Sequence, residues 1–501
     1  MSRLARRSVF GRATTLLATL TVSAFIGMGA TSSVVVQALH PAVKNFKFLT
    51  ASQTPPTETQ CYSVGRRCFT PTSLQNSYNL GPLYAAGEEG QGMTIAVVDS
   101  YGSDTIRHDL HVFDTAFGLP AMCGEEGVAC SSGMPRFSIM QQGNVNTNCQ
   151  PGGGTGQESH CAWALETSLD VEWAHAMAPL ANVLLIATPT AETLGVQGVP
   201  QFIRAEDTVI TRHEADVISQ SFATGEDAFP STRSLLNLRY AFIDAKANKV
   251  TMFGSSGDFG SAEVTKTPVS TGGTLLPDPG VWWPASDPLV TGVGGTYLCT
   301  DAVTGTSVDS GDPPSRCQAS PGVREIGWID AGGGFSHVFS RPSFQDSLPA
   351  GSTAIPASAR GVPDIASQAS SLTGVLVYIT NPGYTGISCP GGVLCSAGWY
   401  VVGGTSASSP EWAAMTAIAD QISRATFGDD LGYINPALYA IGANPARYAA
   451  DFYDVTTGNN GAFAPDVPGY PATQGWDPVT GLGTPNAAVF LPDLVNAVHG
   501  L

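Results

Sequence analysis

Short apolar runs rich in β-branched residues recur along the chain at 93–98, 183–187, 217–221, 250–253 and 289–293. Runs of this length, bounded by turn residues, predict buried parallel strands. Between them, residues 161–177 and 231–247 carry the longer apolar spacing of helices. Strand alternating with helix predicts an α/β fold: a doubly wound, mostly parallel sheet with helices on both faces. Residues 31–92 are polar and proline-bearing, without strong periodicity until Tyr78, and read as an N-terminal arm. The Gly- and Cys-rich insertions 123–156 and 299–317 read as stapled surface loops.

A further apolar run, 399–402, leads into Gly403-Gly404-Thr405-Ser406-Ala407-Ser408-Ser409-Pro410 and an expected helix over 411–425. A serine so placed faces a helix N-terminus, where unpaired N–H groups and the positive dipole end stabilise a forming anion. An acyl-transfer nucleophile needs that. Pro410 suits the first helical turn. The same octapeptide also reads as an ordinary Gly/Ser cap. Glu166 and Asp170, at i and i+4 on the helix 161–177, project from one face. Their apolar neighbours Trp163, Leu169 and Val171 predict a partly buried pair with a raised carboxyl pKa; a pair of solvated surface acids is the other reading. Asp258 follows the strand 250–253 at the carboxyl end, where open parallel sheets place their sites. It either makes an Asp turn or, protonated, donates to an oxyanion. Near the C-terminus, Asp454-Val455 and Thr473-Gln474-Gly475-Trp476-Asp477 offer two carboxylates and backbone carbonyls. Such an oxygen-only set suits calcium, or forms polar turns.

Composition narrows the function classes. With 501 residues, 43% hydrophobic and 13% charged, the chain can bury a large core, and one large domain is expected. A net charge of -18 argues against nucleic acid as a partner. Residues 1–30 have an arginine-rich start and a short apolar stretch ending in small residues, which predicts an export signal. Arg6-Arg7 fits a twin-arginine signal or the basic flank of a general secretory one. A secreted mature chain with no membrane association is therefore expected. The ten cysteines fall as near neighbours, so adjacent disulfides are expected: Cys61 with Cys68, Cys123 with Cys130, Cys149 with Cys161, Cys299 with Cys317, Cys389 with Cys395.

Together these motifs resemble the sedolisin family of serine-carboxyl peptidases, similar in fold to the subtilisins, from about Phe69 to the C-terminus. Gly404-Thr405-Ser406 with Pro410 resembles the nucleophile motif, Glu166 and Asp170 its helical E-x-x-x-D, and Gly257-Asp258 its oxyanion aspartate. Residues 283–296, Gly332-Gly333-Gly334-Phe335-Ser336 and Arg360-Gly361-Val362-Pro363-Asp364 resemble framework segments. The resemblance implies a subtilisin-like fold and a secreted, acid-active endopeptidase in which Ser406 attacks, Glu166 moves its proton, Asp170 tunes Glu166 and Asp258 serves the oxyanion. It also implies one structural calcium ion held by Asp454, Val455, Thr473, Gly475 and Asp477, protein or peptide substrates, and a monomer. The implied organisation is a signal at 1–30, an arm at 31–68 too short for the large propeptide domain common in the family, and a peptidase domain at 69–501. Thr473 stands where glycine is usual. Asp99 resembles the subtilisin aspartate in place, but no histidine is positioned as its base, so a structural role is expected. An α/β-hydrolase is disfavoured because the G-x-S-x-G elbow is missing. The competing class is a non-catalytic exported binding protein on the same scaffold.

Overall fold

The computed structural model describes residues 35–36, 40–41, 46–147, 155–189, 196, 198–263, 273–274, 276–380, 397–461 and 466–501. The expected signal at 1–30 lies outside them. In chain order the elements that build the site are β1 (Thr94–Ser100), α1 (Ile106–Phe117), β2 (Phe137–Gln141), α2 (Thr155–Met177), β3 (Asn182–Thr188), α3 (Val199–Thr211), β4 (Val217–Gln220), β5 (Phe222–Gly225), α4 (Tyr240–Ala247), β6 (Thr251–Ser255), β7 (Thr291–Leu298), β8 (Glu325–Gly327), β9 (Ile365–Gln368) and α5 (Thr405–Phe427).

The central sheet is eight-stranded in the order β8-β7-β6-β4-β1-β3-β2, with β9 also paired to β7. All its pairings are parallel except β7 with β8. Side chains alternate across it, as strand geometry requires. Ile95, Val97, Val183, Leu185, Val217 and Phe253 pack on one face with residues of α2 and α5. Ala96, Val98, Leu184, Ile186, Ile218 and Met252 pack on the other with Phe202 and Ile203 of α3 and Phe242 of α4. The fold is thus the mostly parallel sheet with helices on both faces that the strand runs predict. No helix among the described residues is long and apolar enough to cross a membrane.

Several expectations change in detail. The strand expected at 289–293 runs Thr291–Leu298, carried on through Gly294 and Gly295. A Cβ at 294 would lie 2.6 Å from Pro363, and one at 295 would lie 2.4 Å from the Ala369 side chain, so only glycine fits this close approach. The helix expected at 231–247 divides into Thr232–Leu236, capped by Ser231, and α4. The insertion 123–156 is not wholly a surface loop, because it supplies β2 at the sheet edge. The arm, too, is partly woven in: Lys47–Thr50 pairs with Gly398–Val402, and Arg67–Phe69 pairs with Thr373–Ile379. The strand His40–Pro41 pairs antiparallel with β5, His40 opposite Ala223 and Pro41 opposite Phe222. Disulfides join Cys61 to Cys68, Cys123 to Cys130 and Cys299 to Cys317, as expected from their spacing. Cys149, Cys389, Cys395 and the side chain of Cys161 lie outside the described residues.

Candidate active site

The helix that carries Ser406 begins earlier than expected. α5 starts at Thr405, so Ser406 is its second residue and Pro410 its sixth, inside the helix rather than in its first turn. Gly404 precedes it with φ 137°, and no side chain caps it from that position. Proline at 410 cannot donate to the Ser406 carbonyl four residues back, which would ordinarily weaken the helix. Here the Ser221 hydroxyl donates to that carbonyl instead, at 3.4 Å, and Ser406 Oγ donates back to the Ser221 carbonyl at 3.5 Å. The helix end is held by Asp258, whose Oδ1 accepts from the Thr405 N–H and the Thr405 hydroxyl, each at 2.9 Å. Thr405 Oγ1 in turn accepts from the Gly257 N–H at 3.1 Å. The loop after β6 is thereby fixed to the start of α5.

α2 brings the two acids of its inner face to the same place. Glu166 and Asp170 are both fully buried, which decides against the surface-acid reading. Neither carboxylate has a hydrogen bond of ordinary geometry. Burial pushes the Glu166 pKa well above the usual carboxylate range; the Asp99 charge raises it further, the nearby Ser406 hydroxyl draws it down, and Asp258 raises it slightly. Burial likewise raises Asp170, with the charges of Asp99 and Glu166 adding and the Ser221 hydroxyl opposing. Asp99, at the end of β1, is fully buried and pushed up to about 8 by burial, held back by the Thr167 hydroxyl. It belongs electrostatically to the same cluster, where the sequence had suggested only a structural role. Its position at the carboxyl end of a central strand was the available signal.

These groups give Ser406 a helix N-terminus behind it, a buried carboxyl with raised proton affinity beside it, and a second carboxyl, Asp258, at the same helix end. Such a constellation can move a proton to and from a hydroxyl nucleophile while N–H and O–H donors face a developing oxyanion.

No family model matches the chain. It is 29% identical over 440 residues to kumamolisin of Bacillus sp. (strain MN-32), an alignment covering 85% of this chain and 64% of that protein. This similarity supports the sedolisin family. It is also 29% identical over 290 residues to tripeptidyl-peptidase 1 of Bos taurus, covering 55% of this chain and 42% of that one. The alignments thus span between about two fifths and two thirds of these curated relatives. A solved structure of Pseudomonas sedolisin, a serine-carboxyl proteinase complexed with two molecules of pseudo-iodotyrostatin, superposes with a TM-score of 0.58 at 24% identity, covering 85% of this chain and 98% of that one. This superposition establishes the sedolisin fold.

The residues expected to hold calcium gather away from Ser406, around Gly475. Asp454 Oδ1 accepts from the Tyr448 hydroxyl at 3.0 Å, and both Asp454 oxygens accept from the Gly475 N–H at 3.1 Å. Asp477 accepts from the N–H groups of Thr473, Val479 and Thr480. Both acids act electrostatically on Tyr448, which places them close together. The carbonyl oxygens of Val455, Thr473 and Gly475 accept no hydrogen bond among the described residues. Two carboxylates with three uncommitted carbonyls form a donor set that fits a hard, oxygen-binding cation.

Proposed function

We propose that this chain is a secreted, acid-active serine-carboxyl peptidase that works through an acyl-enzyme. The observation that carries the proposal is the burial of Glu166 against the Ser406 hydroxyl with no cation to hold it ionised. Ser406 Oγ adds to the peptide carbonyl carbon while its proton passes to Glu166. The oxyanion is met by N–H groups at the start of α5 and by protonated Asp258. Collapse breaks the C–N bond, and the amine leaves with the proton from Glu166. Water then adds to the acyl-enzyme and gives a proton to Glu166, which returns it to Ser406 as the acid departs. Asp99, a like charge nearby, raises the proton affinity of Glu166 and so makes it a stronger base once ionised, while Asp170 shares the same buried helix face. Asp258 must keep its proton in order to donate, which confines the reaction to the acid side of neutrality. Asp454, Asp477 and the carbonyls of Val455, Thr473 and Gly475 would hold one calcium ion, which supplies charge neutralisation and holds the loops in place.

The test is hydrolysis of a denatured protein substrate from acid to mildly alkaline pH, by the mature chain and by Ser406→Ala in parallel. Cleavage confined to acid pH and abolished in the variant is expected. No cleavage by either protein at any pH returns the binding-protein reading to first place. Mass analysis of the products separates the expected internal cleavage from stepwise release of short N-terminal peptides.

A further inference from the structure

Three side chains outside the Ser406 cluster converge where β5 ends. Asp227 stands in the turn Glu226–Ala228 that follows β5, Glu263 lies beyond Asp258 in the loop after β6, and His337 follows the glycine-rich segment 332–336. One ligand atom from each lies within 4.8 Å of the others. His337 Nδ1 is 2.8 Å from Asp227 Oδ2 and 3.7 Å from Glu263 Oε2.

The decisive member is Glu263, which is 0% exposed. Its Oε1 accepts from the Asp227 N–H at 2.7 Å, whereas Oε2, turned toward His337, has no hydrogen bond of ordinary geometry among the described residues, the Val281 N–H serving the carboxylate only at poorer geometry. A buried carboxylate oxygen without a donor is costly, and it calls for a partner. The carboxylate stands against the bare backbone of Gly280, where an added Cβ would come within 1.7 Å of Oε2. The neighbouring acid cannot serve as that partner, because Glu226 is committed to the Ser336 hydroxyl at 2.7 Å and the His337 N–H at 2.8 Å. Glu226 instead fixes the backbone that presents the imidazole. Three carboxylates, those of Glu226, Asp227 and Glu263, thus stand together here with the His337 imidazole beside them.

We propose that Asp227, Glu263 and His337 bind one borderline divalent cation of the zinc type through two carboxylate oxygens and the His337 Nδ1. An imidazole in the set disfavours calcium, which takes oxygen ligands, and favours Zn2+ or Co2+. Ligand atoms around such an ion lie ~2.0–2.2 Å from it, so the present separations close onto one ion with small side-chain rotations. Asp227 and His337 are partly exposed, which leaves an open position for water and a path of entry. The ion would tie together the turn after β5, the loop after β6 and the segment 332–337. This inference does not depend on the peptidase reading.

The test uses the full-length protein at neutral pH with excess Ca2+, so that oxygen-only sites are filled. Equilibrium dialysis with Zn2+ should find one ion per chain, and Co2+ should give a visible absorption band. His337→Gln and Glu263→Gln should each weaken Zn2+ binding by at least ~10-fold, while Asp454→Asn should leave it unchanged. Should Glu263→Gln fail to fold, His337→Gln still decides, because that imidazole is partly exposed. Wild-type protein that binds no Zn2+ at millimolar concentration, or binding that survives both substitutions, overturns the proposal and leaves His337 as the charge partner of two acids.

Discussion

Asp364 and Glu166 are both fully buried carboxyls, and the fold keeps them in opposite ways. Asp364 Oδ2 accepts from Arg360 at 2.6 Å and from the Gly292 N–H at 2.8 Å, and Oδ1 accepts from the Tyr439 hydroxyl at 2.9 Å. Burial raises its pKa, but Arg360 and these donors pull it back. Among the described residues, the groups that act on Glu166 are Asp99, Asp258 and the Ser406 hydroxyl, and no cation is among them to offset its charge. The first arrangement holds a carboxylate ionised and still, cross-linking the segment 360–364 to β7. The second holds a carboxyl close to giving up or taking a proton. The difference separates an acid that builds the fold from one that works in it.

Substitution should pull the two apart. Glu166→Gln should lower kcat by ~10⁴-fold or more, as loss of a general base does, with melting temperature at neutral pH unchanged or raised; assays and calorimetry on one preparation check both. A large loss of stability would mean that Glu166 is structural after all. Arg360→Met should do the reverse, costing about 3–5 kcal/mol in denaturant unfolding because Asp364 is left buried and uncompensated. The Asp454 and Asp477 loops fall between these cases, since their missing cation would come from solution. If calcium binds there, chelation should lower unfolding stability by about 2.7 kcal/mol relative to free Ca2+ at a hundredfold over Kd. An unchanged transition in chelator would count against the site.

The smallest effect concerns other acids that resemble Glu166 in burial, one of them Asp99 of the same cluster. Glu411 is fully buried and accepts one hydrogen bond, from the Ser367 hydroxyl at 2.8 Å; burial pushes its pKa well up. Burial also pushes Asp109 up to about 7 and Asp99 up to about 8. With each pKa higher in the folded than in the unfolded chain, their contribution is fully present below the unfolded value. It is lost as pH rises, until the folded value is passed. Melting temperature should therefore fall from pH 4 toward pH 8, with the loss from Asp109 ending near 7 and that from Asp99 near 8. Glu411→Gln should flatten that slope, because burial holds the Glu411 pKa well above its unfolded value.

Much of this was legible in the sequence because it is local. The β1 and β3 strands carry continuous apolar runs, IAVV and VLLIA, as strands buried on both faces do. The i and i+4 spacing of Glu166 and Asp170 fixes their common face whatever surrounds the helix. What was missed depends on distant partners. β2 is an edge strand with partly exposed positions, so its pattern was lost within a Gly- and Cys-rich insertion. Lys47–Thr50 becomes a strand only because Tyr400 and its neighbours are there to pair with it. Pro410 suggested a helix start because its replacement donor, Ser221, lies far away in sequence. The convergence of Asp227, Glu263 and His337 has no local signature.

The pairing of His40–Pro41 along β5 has a consequence for access. β5 begins immediately after Ser221, whose carbonyl accepts from the Ser406 hydroxyl, so its edge is the one a peptide would join if it entered as an added strand. That edge already has an occupant from the same chain. A tethered occupant competes at an effective concentration set by the reach of its linker, millimolar for short flexible ones, however dilute the protein. A ligand that needed this edge would therefore meet an internal rival whose strength is a matter of connectivity rather than of concentration.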